Sequence, residues 1–126
     1  MNNTFGFIGC GNMGGSLATA VCKSVGAQNV FLADKNEATL DILERKLNCN
    51  ISSSLEIAEK CRFIFLGVKP QVMVSALDEI KDTLKFRSSR FVLVSMLAGT
   101  EISAIKEELG FDCPIIRIMP NTPVSV

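Results

Sequence analysis

The sequence predicts an α/β fold: a doubly wound parallel sheet of about six strands with helices on both faces. Three observations predict it. Short, continuously apolar runs recur, as in FIFL at 63–66, and such runs mark strands buried on both faces. Between them lie stretches whose apolar residues recur at helical spacing. The connections are short, and strands alternating with helices imply parallel pairing through right-handed crossovers.

The elements follow in order. Residues 4–8, TFGFI, predict a first strand, and a glycine loop follows. A helix runs from 13 to about 24, with Met13, Leu17 and Val21 on one face. Residues 30–33 predict a second strand. A helix over 37–47 places Leu40, Leu43 and Leu47 at helical spacing, and its opposite face carries Asp41, Glu44 and Arg45, a solvated side. A minimal third strand begins near Ile51. Ser53-Ser54-Leu55-Glu56 matches a capping box, so a short helix begins there. Residues 63–66 predict the fourth strand. Pro70 stands where a helix can start, and Met73, Leu77, Ile80 and Leu84 form that helix's buried face. Residues 91–95 predict a fifth strand, 101–109 a helix carrying Ile102, Ile105 and Leu109, and 114–118 a sixth strand.

Composition narrows the function classes. At 126 residues the chain suits one domain. Thirteen basic residues balance thirteen acidic ones, and no basic stripe stands out, so neither nucleic acid nor an anionic membrane is an expected partner. No apolar run is long enough to span a bilayer. The N-terminus enters TFGFIG without a basic region and cleavage site, so no signal peptide is expected and the expected location is cytoplasmic. Five cysteines, at 10, 22, 49, 61 and 113, form no C-x-x-C, and there is no histidine, so no metal site is expected. These cysteines read as reduced, small apolar residues. The absence of histidine and tyrosine also removes the commonest acid/base groups for neutral pH, so a proton donor would come from elsewhere or from water.

Gly9-Cys10-Gly11-Asn12-Met13-Gly14 is G-x-G-x-x-G. Its context is the informative part. It follows a strand, opens a helix, and Asp34 stands 20 residues after Gly14 at the end of the next strand. Gly9 permits the tight turn, Gly11 lets backbone approach a pyrophosphate, and Gly14 lets helix and strand pack closely. The N–H groups of the helix start favour the phosphates. Asp34 is the position that meets the adenine ribose. Its carboxylate accepts hydrogen bonds from a 2′,3′-diol, which leans toward NAD and repels a 2′-phosphate. Lys35 could contact a 2′-phosphate if Asp34 turns away, so NADH and NADPH both stay open.

Ligands of this fold collect beyond the carboxyl ends of the strands. The loops there are Gly67-Val68-Lys69-Pro70-Gln71, Ser95-Met96-Leu97-Ala98-Gly99 and Met119-Pro120-Asn121-Thr122-Pro123. GFIGCGNMG, GVKPQ, SMLAG and RIMPNTP, in this order, resemble pyrroline-5-carboxylate reductase over essentially the whole chain. The first motif is shared with β-hydroxyacid dehydrogenases and F420-dependent NADP reductases. VKP and R-x-MPNTP are more specific to the reductase.

The resemblance implies an N-terminal Rossmann domain that binds NAD(P)H. It implies hydride transfer to the imine carbon of 1-pyrroline-5-carboxylate, giving L-proline. By motif, residues 9–14 hold the pyrophosphate, Asp34 and Lys35 face the adenine ribose, and Ser54 lies nearby. Val68, Lys69 and Pro70 line the cofactor channel. Met96, Leu97 and Ala98 pass near the nicotinamide, and Asn121 and Thr122 border the reaction space. Two positions depart from the family: small residues usually stand where Leu97 is, and many members lack an acid where Asp34 is. The family continues beyond MPNTP into a helical domain that builds a homo-oligomer and supplies the substrate carboxylate site and the proton donor. The chain therefore reads as the cofactor domain, inactive alone. Two other readings stay open: a relative among the hydroxyacid dehydrogenases or F420-dependent reductases, and a non-enzymatic NAD(P)-sensing module.

Overall fold

The computed structural model describes residues 3–118. The strands are β1 (Phe5–Ile8), β2 (Val30–Ala33), β3 (Asn50–Ile51), β4 (Phe63–Leu66), β5 (Val92–Ser95) and β6 (Ile115–Arg117). The helices are α1 (Asn12–Val25), α2 (Glu37–Leu47), α3 (Ser54–Lys60), α4 (Met73–Phe86) and α5 (Ile102–Leu109). The sheet is six-stranded, ordered β3-β2-β1-β4-β5-β6, and every pairing is parallel. The doubly wound fold is therefore present, and its strand order reverses between β1 and β4.

Two faces of the sheet bury two cores. Within β1 and β4, alternate residues point to opposite faces. Phe7 stacks on Phe65 at 4.4 Å between ring centroids, and Phe5 on Phe63 at 5.1 Å. Phe5, Phe7 and Phe65 join the core beneath α1 and α2, with Ala18, Leu32 and Leu40. The neighbours Ile8, Ile64 and Leu66 enter the opposite core with Ile57, Leu77, Ile80 and Ile105 from α3, α4 and α5. Gly6 lets α3 approach β1: a Cβ there would collide with Ile57 and lie 2.9 Å from Cys61 Sγ.

Local chemistry sets the ends of the elements. Asn36 caps α2, its Oδ1 accepting the N–H groups of Ala38 and Thr39 at 3.0 and 3.2 Å. Asn48 ends α2 in the left-handed region at φ 57°, where asparagine is tolerated. Ser53 caps α3 by accepting the Glu56 N–H at 3.1 Å. Only this half of the expected capping box is made, and the Glu56 carboxylate lies 3.8 Å from Lys60 Nζ. The minimal β3 is pinned by Asn50, whose side-chain amide donates to the carbonyls of Gln28 and Val30 at 3.0 and 3.1 Å.

Several boundaries differ from the sequence expectations. α1 begins at Asn12, one residue early, because Gly11 already occupies the capping position. Pro70 opens a 3₁₀ turn, Pro70–Val72, and α4 starts only at Met73. β1, β5 and β6 begin one residue later than expected and α5 at Ile102, with Glu101 as its cap. A further 3₁₀ turn, Ala27–Asn29, joins α1 to β2.

Of the five free thiols, Cys10, Cys49, Cys61 and Cys113 are buried and Cys22 half-buried. Burial pushes the Cys49, Cys61 and Cys113 thiols up to about 11. Cys10 is pushed up to about 12, first by burial and then by the nearby Asp34 charge. Among the described residues no helix is long and apolar enough to cross a membrane.

Candidate functional site

The site is built at the carboxyl ends of β1, β2 and β4, where the strand order reverses. The chain leaves β1 through Gly9 at φ +93°, a conformation that costs glycine little. The Gly9 N–H donates to the Ala33 carbonyl at 2.9 Å, and the Gly67 N–H to the Ile8 carbonyl at 2.8 Å. The loop is thus tied to β2 on one side and to the end of β4 on the other.

Three glycines meet in one place. A Cβ on Gly9 would lie 2.5 Å from Val68 N, one on Gly67 would lie 2.7 Å from Gly9 O, and one on Gly14 would collide with Gly9 O. Gly67 has the same packing task as the two fingerprint glycines. In the sequence it stands in the short connection Gly67-Val68-Lys69-Pro70-Gln71, and no one-dimensional pattern pairs it with Gly9.

Gly11 differs. Among the described residues, a Cβ there would meet nothing within 4 Å, and its backbone, φ −69° and ψ −159°, is open to any residue. Nothing in the packing of the described residues demands glycine at this position. It caps α1 with no side-chain hydrogen bond, and no acidic residue stands in the first turn. The first N–H groups of α1 are therefore left without a side-chain cap, an arrangement suited to an anion.

Asp34 leaves β2 beside this loop. Its Oδ2 accepts the Cys10 N–H at 2.7 Å and its Oδ1 accepts the Asn36 N–H at 2.8 Å. The Cys10 side chain turns inward, its Sγ 3.5 Å from the Ala33 carbonyl, so Cys10 offers the site only its backbone.

A cleft of roughly 370 Å³ opens between these loops, within the usual size of a ligand site. Its wall includes Gly9, Gly11, Asp34, Lys35, Ser54, Val68 and Lys69, so seven residues expected at the cofactor come together. Pro70 is exposed beside it without lining it. Asn12 and Met13 lie exposed at the start of α1. α4 closes the far side with Val72 just before it, Ala76 and Glu79. A second cavity, roughly 640 Å³, continues past Asp34 along α2.

The loop after β5 is arranged differently. Met96 is 5% exposed and Leu97 2%, and the Leu97 side chain enters the core with Ile8 and Ile105. Only Ala98 of the three is exposed, so this loop presents backbone and a methyl group. Ser95 ends β5 fully buried, and its hydroxyl accepts the Leu97 N–H at 3.2 Å. Asn121 and Thr122 lie outside the described residues.

Comparison with known proteins fits this geometry. The family profile described as NADP oxidoreductase, coenzyme F420-dependent, matches residues 4–99. A pyrroline-5-carboxylate reductase of Corynebacterium melassecola is 33% identical, across 98% of this chain and 46% of that protein. The structure of the Plasmodium falciparum pyrroline carboxylate reductase, solved with NADP bound, is 31% identical with a TM-score of 0.74, covering 97% of this chain and 44% of that one. The Coxiella burnetii pyrroline-5-carboxylate reductase has the same fold, with a TM-score of 0.89 at 24% identity over 98% of this chain and 46% of that one. The chain spans about half the length of the curated relatives it matches. By a profile match that covers most of its length, this chain belongs to the family of F420-dependent NADP oxidoreductases.

Proposed function

We propose that the chain is the dinucleotide-binding half of a pyrroline-5-carboxylate reductase. The observation that supports this most is Gly11. Among the described residues no packing contact requires glycine there, and it stands at a helix start without a side-chain cap, lining one cleft with Asp34. A ligand that must approach backbone closely, such as a pyrophosphate, accounts for it.

The residues present fit NAD(P)H. Residues 9–14 would hold the pyrophosphate against the start of α1. Asp34 would accept from the ribose hydroxyls, with Lys35 and Ser54 beside it. Val68 and Lys69 would border the path toward the nicotinamide, with Pro70 next to them. The loop from Met96 to Ala98 would flank the nicotinamide, and Asn121 and Thr122 would border the reaction space. Bound there, the reduced nicotinamide supplies a hydride, which the reductase reading directs to the imine carbon of 1-pyrroline-5-carboxylate. The chain has neither histidine nor tyrosine, so the proton on the imine nitrogen comes from water or from the other half of the relatives' length. On this reading that half also binds the substrate carboxylate and forms the homo-oligomer, and the whole acts in the cytoplasm.

The family's description favours a second reading, hydride exchange between NADP and coenzyme F420. The R-x-MPNTP sequence at 117–123 supports the imine reductase instead. Titration with NADH and NADPH, followed by nicotinamide fluorescence, tests the proposal. Saturable binding of at least one supports it, and binding of neither overturns it. The same sample with 1-pyrroline-5-carboxylate is expected to turn over negligibly, and rapid turnover would contradict the assignment of half the site to other sequence.

A further inference from the structure

The second cavity bears on which dinucleotide the site takes, an inference that rests on the dinucleotide reading above. It shares Ala33, Asp34, Lys35, Ser54 and Glu79 with the glycine cleft. It therefore begins where the ribose hydroxyls of a bound dinucleotide would lie. From there it runs along α2, which contributes Glu37, Asp41 and Glu44. Their spacing puts all three on one helical face.

Charge is distributed unevenly across the two spaces. The glycine cleft is lined by two carboxylates, Asp34 and Glu79, and two ammonium groups, Lys35 and Lys69. That balance suits a pyrophosphate held by helix N–H groups. The adjoining cavity is lined by five carboxylates and the single ammonium of Lys35. Among the described residues, none of those five carboxylates is in an ion pair.

The hydrogen bonds of Asp34 close the route by which Lys35 could take a 2′-phosphate. For Lys35 to do so, Asp34 would have to turn away. Both Asp34 oxygens are held by backbone N–H groups, Oδ2 at 2.7 Å and Oδ1 at 2.8 Å. Turning it out would strand the N–H of Cys10, a residue only 2% exposed, and a buried donor left without a partner is costly.

We infer that the adenosine end of this site selects NADH over NADPH, through the carboxylate wall that α2 adds to the fixed charge of Asp34. A 2′-phosphate would bring close to two negative charges into that wall. A 2′-hydroxyl would meet only a hydrogen-bond acceptor.

The test is a pair of titrations, NADH and NADPH, on the unmodified chain at low and high salt, repeated on Glu37→Gln/Asp41→Asn/Glu44→Gln. These side chains are exposed, and circular dichroism checks that the variant is folded. The expected result is NADH binding tighter by on the order of tenfold or more at low salt, with the gap narrowing at high salt, as screened repulsion requires. The gap also narrows in the triple variant. Should the triple variant not fold, Asp41→Asn alone takes its place, and a gap left unchanged in a folded variant would overturn the role of the α2 carboxylates. NADPH binding as tightly as NADH would overturn the inference and leave the dinucleotide reading intact, and so would a gap that salt does not move. Binding of neither would overturn both.

Discussion

The carboxylate of Asp34 fastens the glycine loop through its contact with Cys10: Oδ2 accepts the Cys10 N–H at 2.7 Å while Oδ1 accepts the Asn36 N–H at 2.8 Å. One side chain thus joins the turn after β1 to the turn after β2. The residue that would meet the ribose also sets the shape of the loop that would meet the pyrophosphate.

Asp34→Ala is therefore expected to act twice. Two charge-assisted hydrogen bonds are lost, and with partial exposure the cost is about 1–3 kcal/mol of stability. Urea unfolding checks this. The same change removes the charge nearest the ribose and shifts relative affinity toward NADPH. Unchanged stability with unchanged relative affinities would show that Asp34 has neither role.

The fingerprint glycines separate into two kinds. Gly14→Ala and Gly67→Ala each force a Cβ against Gly9 O, and overpacking of this sort costs about 1–3 kcal/mol. Gly11→Ala meets no atom of the described residues, so stability is expected to stay within about 0.5 kcal/mol. Its dinucleotide affinity is expected to fall instead, on the order of tenfold. Thermal melts and titrations on the three variants check the contrast, and a Gly11→Ala variant that binds normally would contradict the close approach.

Arg87 holds three segments at the end of α4. Its Nη1 donates to the Ala58 carbonyl at 2.7 Å, its Nη2 to the Arg90 carbonyl at 3.2 Å, and its guanidinium lies 5.0 Å from the centre of the Phe91 ring. Arg87→Lys keeps the charge and loses the fork, so a loss of about 1–2 kcal/mol is expected. Equal urea midpoints for the two proteins would contradict this.

The buried thiols make stability depend on alkaline pH. Burial raises Cys49, Cys61 and Cys113 from the ordinary 9.0 to about 11, and Cys10 to about 12. Above pH 9 the unfolded chain releases thiol protons that the folded chain keeps. The folded state is then the one holding more protons, so stability falls as pH rises. Their contribution is full below pH 9 and is lost progressively through the folded values near 11 and 12. Urea midpoints measured from pH 7 to pH 10 are expected to be flat and then to decline. Fast labelling of Cys10, Cys49, Cys61 or Cys113 in the native chain at neutral pH would contradict the burial.

Much of this was legible in the sequence. β2, α2 and β4 fall where their apolar runs and flanking turn residues put them, because FIFL and VFLA have no polar face to expose. The fingerprint and Asp34 were legible because spacing along one strand–turn–helix unit fixes them in space. Gly67 was not, since its clash partner Gly9 is 58 positions away. Glu37, Asp41 and Glu44 were harder still. Periodicity says which face of α2 is polar, and it does not say that a cavity lies along that face. Leu97 reads as a loop residue by its position and becomes a core residue only once α5 packs over it.

The most direct test of the central claim is an amide-resolved NMR titration of the ¹⁵N-labelled chain with NADH. The predicted result is saturable shifts of the Gly9 to Gly15 amides, together with Lys35, Asn36, Val68 and Lys69. No saturable change, or changes confined to α5 and β6, would contradict the dinucleotide site at the ends of β1, β2 and β4.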